Sequence, residues 1–63
     1  MRLALEITMD NDAFHERENG QELARVLREY AINIEYLDLA FGDEEILMDI
    51  NGNRVGRARI FNY

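Results

Sequence analysis

The dipeptide Asn51-Gly52 constrains this chain more than any other feature. It separates two runs of strand-forming residues, Glu44 to Ile50 and Asn53 to Phe61. Asn-Gly in that setting is among the strongest short signals for a β-hairpin. The second strand carries Arg54, Arg57 and Arg59, although the formal net charge of the chain is -6.

The hairpin register decides where those arginines point. A strict two-residue turn pairs Ile50 with Asn53, Met48 with Val55 and Ile46 with Arg57, which brings an arginine to the core side. A three-residue loop with a bulge, Gly52 taking positive φ, pairs even positions with even. Ile46 and Met48 then share the inner face with Gly56, Ala58 and Ile60. Arg57 and Arg59 lie outside with Glu45, Leu47 and Val55. A one-residue slip exchanges the faces, and burying an unpartnered guanidinium is costly. The even register is therefore expected.

Upstream, Arg2 to Met9 alternates, with Leu3, Leu5, Ile7 and Met9 on one side, as in a half-buried strand. Asp10-Asn11-Asp12 ends it with turn chemistry. Ala13 to Glu18 reads as a polar connection in which Phe14 folds back as an anchor. A helix is expected from Asn19, whose spacing to Glu22 fits a capping box. Leu23, Val26, Leu27, Tyr30, Ala31, Ile34 and Leu37 form its apolar stripe. Ile32 and Tyr36 fall off that stripe and meet on a side face. Asp38 to Asp43, with Leu39, Phe41 and Gly42, links the helix to the hairpin.

The order is β-α-β-β. The fold class is α+β: a three-stranded, mainly antiparallel sheet with one helix on one face. The third strand sits in the middle, because the alternative is a right-handed parallel crossover. The expected core is Leu3, Leu5, Ile7, Phe14, Leu23, Val26, Leu27, Tyr30, Ile34, Ile46, Met48 and Ile60. Residues 1–63 form one domain, and a domain this short is marginally stable and tends to need a staple or a partner. Cysteine is absent and histidine occurs once, so disulfides and thiolate metal sites are excluded. No secretory segment and no long apolar run is visible, so a soluble, cytosolic protein is expected.

Asp10, Asp12, Glu16 and Glu18 cluster in the first connection, but the calcium-loop template fails at Phe14 and lacks its glycine. A second frame from Asp49 fails at Arg54 and Ile60. His15 is a lone loop histidine, and the chain has no serine or cysteine to act as nucleophile. No catalytic residue, metal ligand set or cofactor is expected. Nucleic-acid binding through Arg57 and Arg59 is weakened by a sequence pI near 4.5. Pairing of those arginines with Glu45 is the plainer expectation. From Glu29 to Asp49 the chain has seven acids and no base, so an acidic surface that mimics nucleic acid is a further reading.

Apolar residues beyond the needs of one core layer point to protein contacts. They are Ile32, Tyr36, Leu39, Phe41, Leu47, Val55, Phe61 and Tyr63. Open sheet edges favour a symmetric homodimer. Ile32, Tyr36, Leu39, Phe41 and Leu47, with Arg57 and Arg59, are the candidate partner-binding residues.

DNDAF (Asp10 to Phe14), ELARVLRE (Glu22 to Glu29) and DINGNRVGRARI (Asp49 to Ile60) together resemble a group of short proteins of phage and prophage genomes. The resemblance implies a bacterial cytoplasmic setting and an accessory or anti-defence factor that binds a host protein. It brings no catalytic residue. Three functions are ranked on these grounds: a small non-enzymatic protein-binding module first, a nucleic-acid binder using the arginine face second, and an acidic nucleic-acid mimic third.

Overall fold

A computed structural model describes residues 1–15 and 19–62. The elements run β1 (Arg2–Ile7), α1 (Asp12–His15), α2 (Asn19–Ile34), β2 (Glu44–Met48) and β3 (Arg54–Phe61). They form one α+β unit in which the strand order is β1-β3-β2 and β3 runs antiparallel to both neighbours. The one-turn α1 replaces part of the expected irregular connection. Its purpose is visible in Phe14, which is 2% exposed and closes one end of the core. Acids Glu16 and Glu18 of that connection, and the aromatic Tyr63, lie outside the described residues. Among the described residues no helix is long and apolar enough to cross a membrane.

Helix α2 lies over the inner face of the sheet with Val26 and Tyr30 buried and Leu23 and Ile34 half-buried. The buried cluster joins them to Phe14, Leu47, Val55 and Ala58. It is centred on β2 and β3. Three expected core residues are therefore less covered than the pattern implied: Leu3, Leu5 and Leu27 are 49%, 38% and 39% exposed. Their apolar periodicity is real, but one helix is too narrow to cover three strands. Glu22, expected to cap the helix with Asn19, turns its carboxylate instead to Arg25 and to the hairpin, as described below.

The hairpin loop is the three-residue form. Gly52 has φ 82°, its N–H donates to the Asp49 carbonyl at 3.0 Å, and the Asp49 N–H donates to the Asn53 carbonyl at 2.8 Å. Met48 pairs with Arg54, even with even. The ladder then shifts between Leu47 and Met48, and Leu47 pairs with Gly56. Val55 is the extra residue of this bulge.

That single insertion corrects the expected faces of β2. Leu47 and Glu45 now share a face with Gly56 and Ala58 under the helix, and Leu47 is 3% exposed. Ile46 pairs with Arg57 on the outer face, half-buried, and Met48 is 50% exposed. Ile46 and Met48 are therefore not the inner pair. Arg57 and Arg59 stay outside as expected, because Ala58 and Ile60 between and after them are buried.

Of the four glycines, only Gly56 has no room for a side chain. A Cβ there would overlap the Glu6 carbonyl oxygen and sit 2.9 Å from the Ile7 Cα. Only glycine lets β1 close on the bulge.

Candidate interaction surfaces

Two polar clusters fix the hairpin to the rest of the fold. Asp49 is 4% exposed and accepts N–H groups from Asn53 at 2.8 Å and Asn51 at 2.9 Å. Its other oxygen accepts the Asn11 amide at 2.6 Å and the Asn53 amide at 3.4 Å. Burial pushes this carboxyl up, but the hydrogen bonds from Asn53, Asn51 and Asn11 outweigh it and hold the group below its ordinary value. Both oxygens are thus spent inside the fold. The Asp49-Asn51-Asn53 spacing that resembles a cation loop is here a turn-closing device.

Glu22 forms the second cluster. It accepts from the Arg25 guanidinium at 2.9 and 3.2 Å and from the Ile50 N–H at 2.8 Å. Arg25 also reaches the Met48 carbonyl at 3.0 Å and Glu29 at 2.8 Å. The Arg25 hydrogen bonds, set against burial and aided by Ile50, hold the Glu22 carboxyl below its ordinary value. Helix and hairpin are joined through this pair.

The outer sheet face is exposed and carries the arginines. Arg57 lies opposite Glu6 on one side and Ile46 on the other, and its guanidinium is 3.7 Å from Glu44. Arg59 sits over the Phe61 ring at 5.2 Å. The expected partner Glu45 is on the other face, where it accepts from the Asn33 amide of α2 at 2.8 Å. The register shift explains this change: it moves Glu44 outward and Glu45 inward. The arginine face is balanced by Glu6 and Glu44 rather than being uniformly basic.

At the opposite end of α2 the chain leaves apolar groups in water. Ile32, off the stripe, is 71% exposed; α2 ends at Ile34, so Tyr36, 91% exposed, lies past the helix and not on its side face as expected. Leu37, expected in the stripe but beyond the end of α2, is 58% exposed, and Phe41 of the connection is 63% exposed. The connection is nevertheless held in place. Ala40 N–H donates to the Asp43 carboxylate at 2.9 Å, and Gly42, with φ 93°, donates to the Ile60 carbonyl at 2.8 Å.

Between this connection and the sheet lies a cleft of about 250 Å³. Tyr30, Ile34, Leu37, Leu39 and Ile60 supply apolar walls, and Asp43, Glu44 and Glu45 supply acid. Burial first, then the charge of Glu45, pushes the Tyr30 phenol above its ordinary value. Small-molecule sites usually measure about 300–1,000 Å³, so this cleft suits a single side chain better than a metabolite.

The sequence-derived residues thus separate into three places. Ile32, Tyr36, Leu39 and Phe41 belong to the end of α2 and the connection after it. Arg57 and Arg59 occupy the outer sheet face. Leu47 is buried in the core and offers no surface. The acids of the cleft belong to the acidic run Glu29 to Asp49 read from the sequence, but their gathering beside α2 was not expected, because only the bulge brings Glu45 to the helix side. No family model matches this chain, nor does any curated protein or solved structure.

Proposed function

We propose that the protein is a small, non-enzymatic protein-binding module. The observation that carries this reading is the apolar end formed by Tyr36, Leu37 and Phe41 beside an acid-rimmed cleft. Large apolar groups left in water on a fixed backbone are a common mark of a protein contact. The partner it suits offers an aliphatic or aromatic side chain flanked by basic residues. The anchor enters between Leu37, Leu39 and Ile60, and the basic flanks meet Asp43, Glu44 and Glu45. The phage resemblance of the three segments supports an accessory or anti-defence role on a host protein in the bacterial cytoplasm. A homodimer through β1 is compatible with this role, because that edge contributes no residue to the cleft.

Nucleic-acid contact is the second reading, and the exposure of Arg57 on the outer face favours it. A tagged pull-down from host lysate separates the two. One stoichiometric protein retained after nuclease treatment, lost with Tyr36→Ala plus Phe41→Ala and kept with Arg57→Glu, supports the module. Retention that vanishes with nuclease or with Arg57→Glu overturns it. Loss of a nucleic-acid-binding protein in high salt points to acidic mimicry instead.

A further inference from the structure

The two edges of the sheet are not alike. Strand β2 turns the charge of Glu45 to the inner face and meets β3 through a bulge. Those are the usual protections of an edge. Strand β1 pairs with β3 without a break from Arg2 to Ile7, and all of its residues before Ile7 are exposed. It has no bulge, and its two charges, Arg2 and Glu6, lie on the outer face. Leu3 and Leu5 stay 49% and 38% exposed on the inner face because α2 covers the other two strands.

The hydrogen-bonding phase of this edge is fixed. Thr8 N–H donates to the Val55 carbonyl at 2.8 Å, and the β1–β3 pairing continues from there two by two. Antiparallel ladders alternate, so Glu6, Ala4 and Arg2 direct their backbone groups to β3. Leu3, Leu5 and Ile7 direct theirs to the open edge.

We infer that β1 pairs antiparallel with β1 of a second copy about a two-fold axis at Ala4, giving a continuous six-stranded sheet. Leu3 then exchanges both backbone hydrogen bonds with Leu5 of the other copy, which the phase requires. On the inner face the four leucines of the two copies become neighbours. On the outer face Arg2 lies opposite Glu6 of the second copy, and Glu6 opposite its Arg2. The other registers allowed by the phase lose this match or set like charges together: an axis at Glu6 opposes two glutamates, and one at Arg2 opposes two arginines. Arg2 also interacts within its own chain; the intermolecular contact adds to that. Self-complementarity of this kind is what a two-fold interface needs, and it selects a second copy over an unrelated strand.

The register makes a sharp test. Ala4 meets its mate as a non-hydrogen-bonded pair, with Cα atoms about 4.5 Å apart, within the range of about 4.4–6.8 Å that a disulfide spans. The chain has no cysteine of its own. The wild type is expected to sediment as a dimer. Ala4→Cys should form a disulfide-linked dimer under mild oxidation, whereas Ile32→Cys, on the exposed side of α2, should not. Arg2→Glu should raise the dimer dissociation constant about tenfold, two like-charge contacts replacing two matched ones. Arg2→Glu combined with Glu6→Arg should recover much of that loss. A wild type that stays monomeric at its solubility limit overturns the proposal, even if it recruits a strand from another protein. So does a dimer that Ala4→Cys fails to lock or that Ile32→Cys locks equally well.

Discussion

Gly56→Ala tests the close approach of β1 to β3. The added methyl would overlap the Glu6 carbonyl oxygen and lie 2.9 Å from the Ile7 Cα, both of them backbone atoms. Carbon atoms rest at about 3.5–4.0 Å, so β1 must retreat by about 0.6–1 Å at Ile7 alone and further at Glu6. A retreat of that size takes the nearby Thr8–Val55 hydrogen bond, now 2.8 Å, beyond the about 3.2 Å range of a good N–H···O bond. Overpacking of this kind costs about 1–3 kcal/mol, and the lost hydrogen bond adds about 0.5–1.5 kcal/mol. The sum is about 2–4 kcal/mol. A chain of 63 residues has a total stability of only about 3–9 kcal/mol. The variant should therefore lose a large share of its stability, and at the low end of that range it should be largely unfolded. Urea unfolding followed by far-UV circular dichroism, at one fixed protein concentration, measures it. Gly52→Ala is the comparison, because that site has open space and only its positive φ to lose, worth about 1–2 kcal/mol. If Gly56→Ala unfolds within about 0.5 kcal/mol of the wild type, the strand is not held where described and the reasoning fails.

Glu22→Ala should cost about 2 kcal/mol, the scale of hydrogen bonds to a charged group, and should speed amide exchange at Ile50, which donates to that carboxylate; unchanged exchange would separate helix from hairpin. Acid should destabilise the fold through two groups held below their ordinary values, Asp49 and Glu22. A lowered folded pKa gives stability that is complete above the unfolded values, about 3.9 and 4.3, and is lost as pH falls through the folded ones. Thermal melts should hold down to about pH 4–5 and then fall. The acid-induced fall should shrink in Asp49→Asn, and an equal fall in that variant would refute the assignment.

Much of the fold was legible because local signals agreed with one another. The alternation of Leu3, Leu5 and Ile7, the stripe around Val26 and Tyr30, and Asn51-Gly52 each name one element without competition. The anchor role of Phe14 followed from its isolation among polar residues. The faces of β2 were misread because the register was carried unbroken from the turn. A signal was present. Arg54, Arg57 and Arg59 cannot share one face of a regular strand, and neither can Val55, Ala58 and Ile60. Both sets break step at Gly56, and a glycine inside a strand pattern marks a bulge or a close approach. Here it marks both. The exposure of Leu3, Leu5 and Leu27 was not legible, because periodicity shows which side is apolar and not how far one helix reaches across it.

The same extra residue organises the charge of the molecule. In an unbroken even ladder Glu45 would stand beside Arg57 and Arg59, and Glu44 would face the helix. Leu47 would then lie outside, and Ile46 and Met48 would crowd beneath α2. With Val55 inserted, Leu47 fills the core and Glu45 turns to Asn33 at the rim of the cleft. Glu44 lies near Arg57 instead, at 3.7 Å, with both side chains open to water, and Glu6 stands opposite Arg57 on β1. An exposed pair at that distance contributes little to stability, about 0–1 kcal/mol. Internal neutralisation therefore accounts for little of why a chain with so few bases gathers three of them on one strand. The bulge exchanges the two acids of β2, turning Glu45 toward the cleft beside α2 and Glu44 to the outer face, where Glu44 and Glu6 share the surface with Arg57 and Arg59.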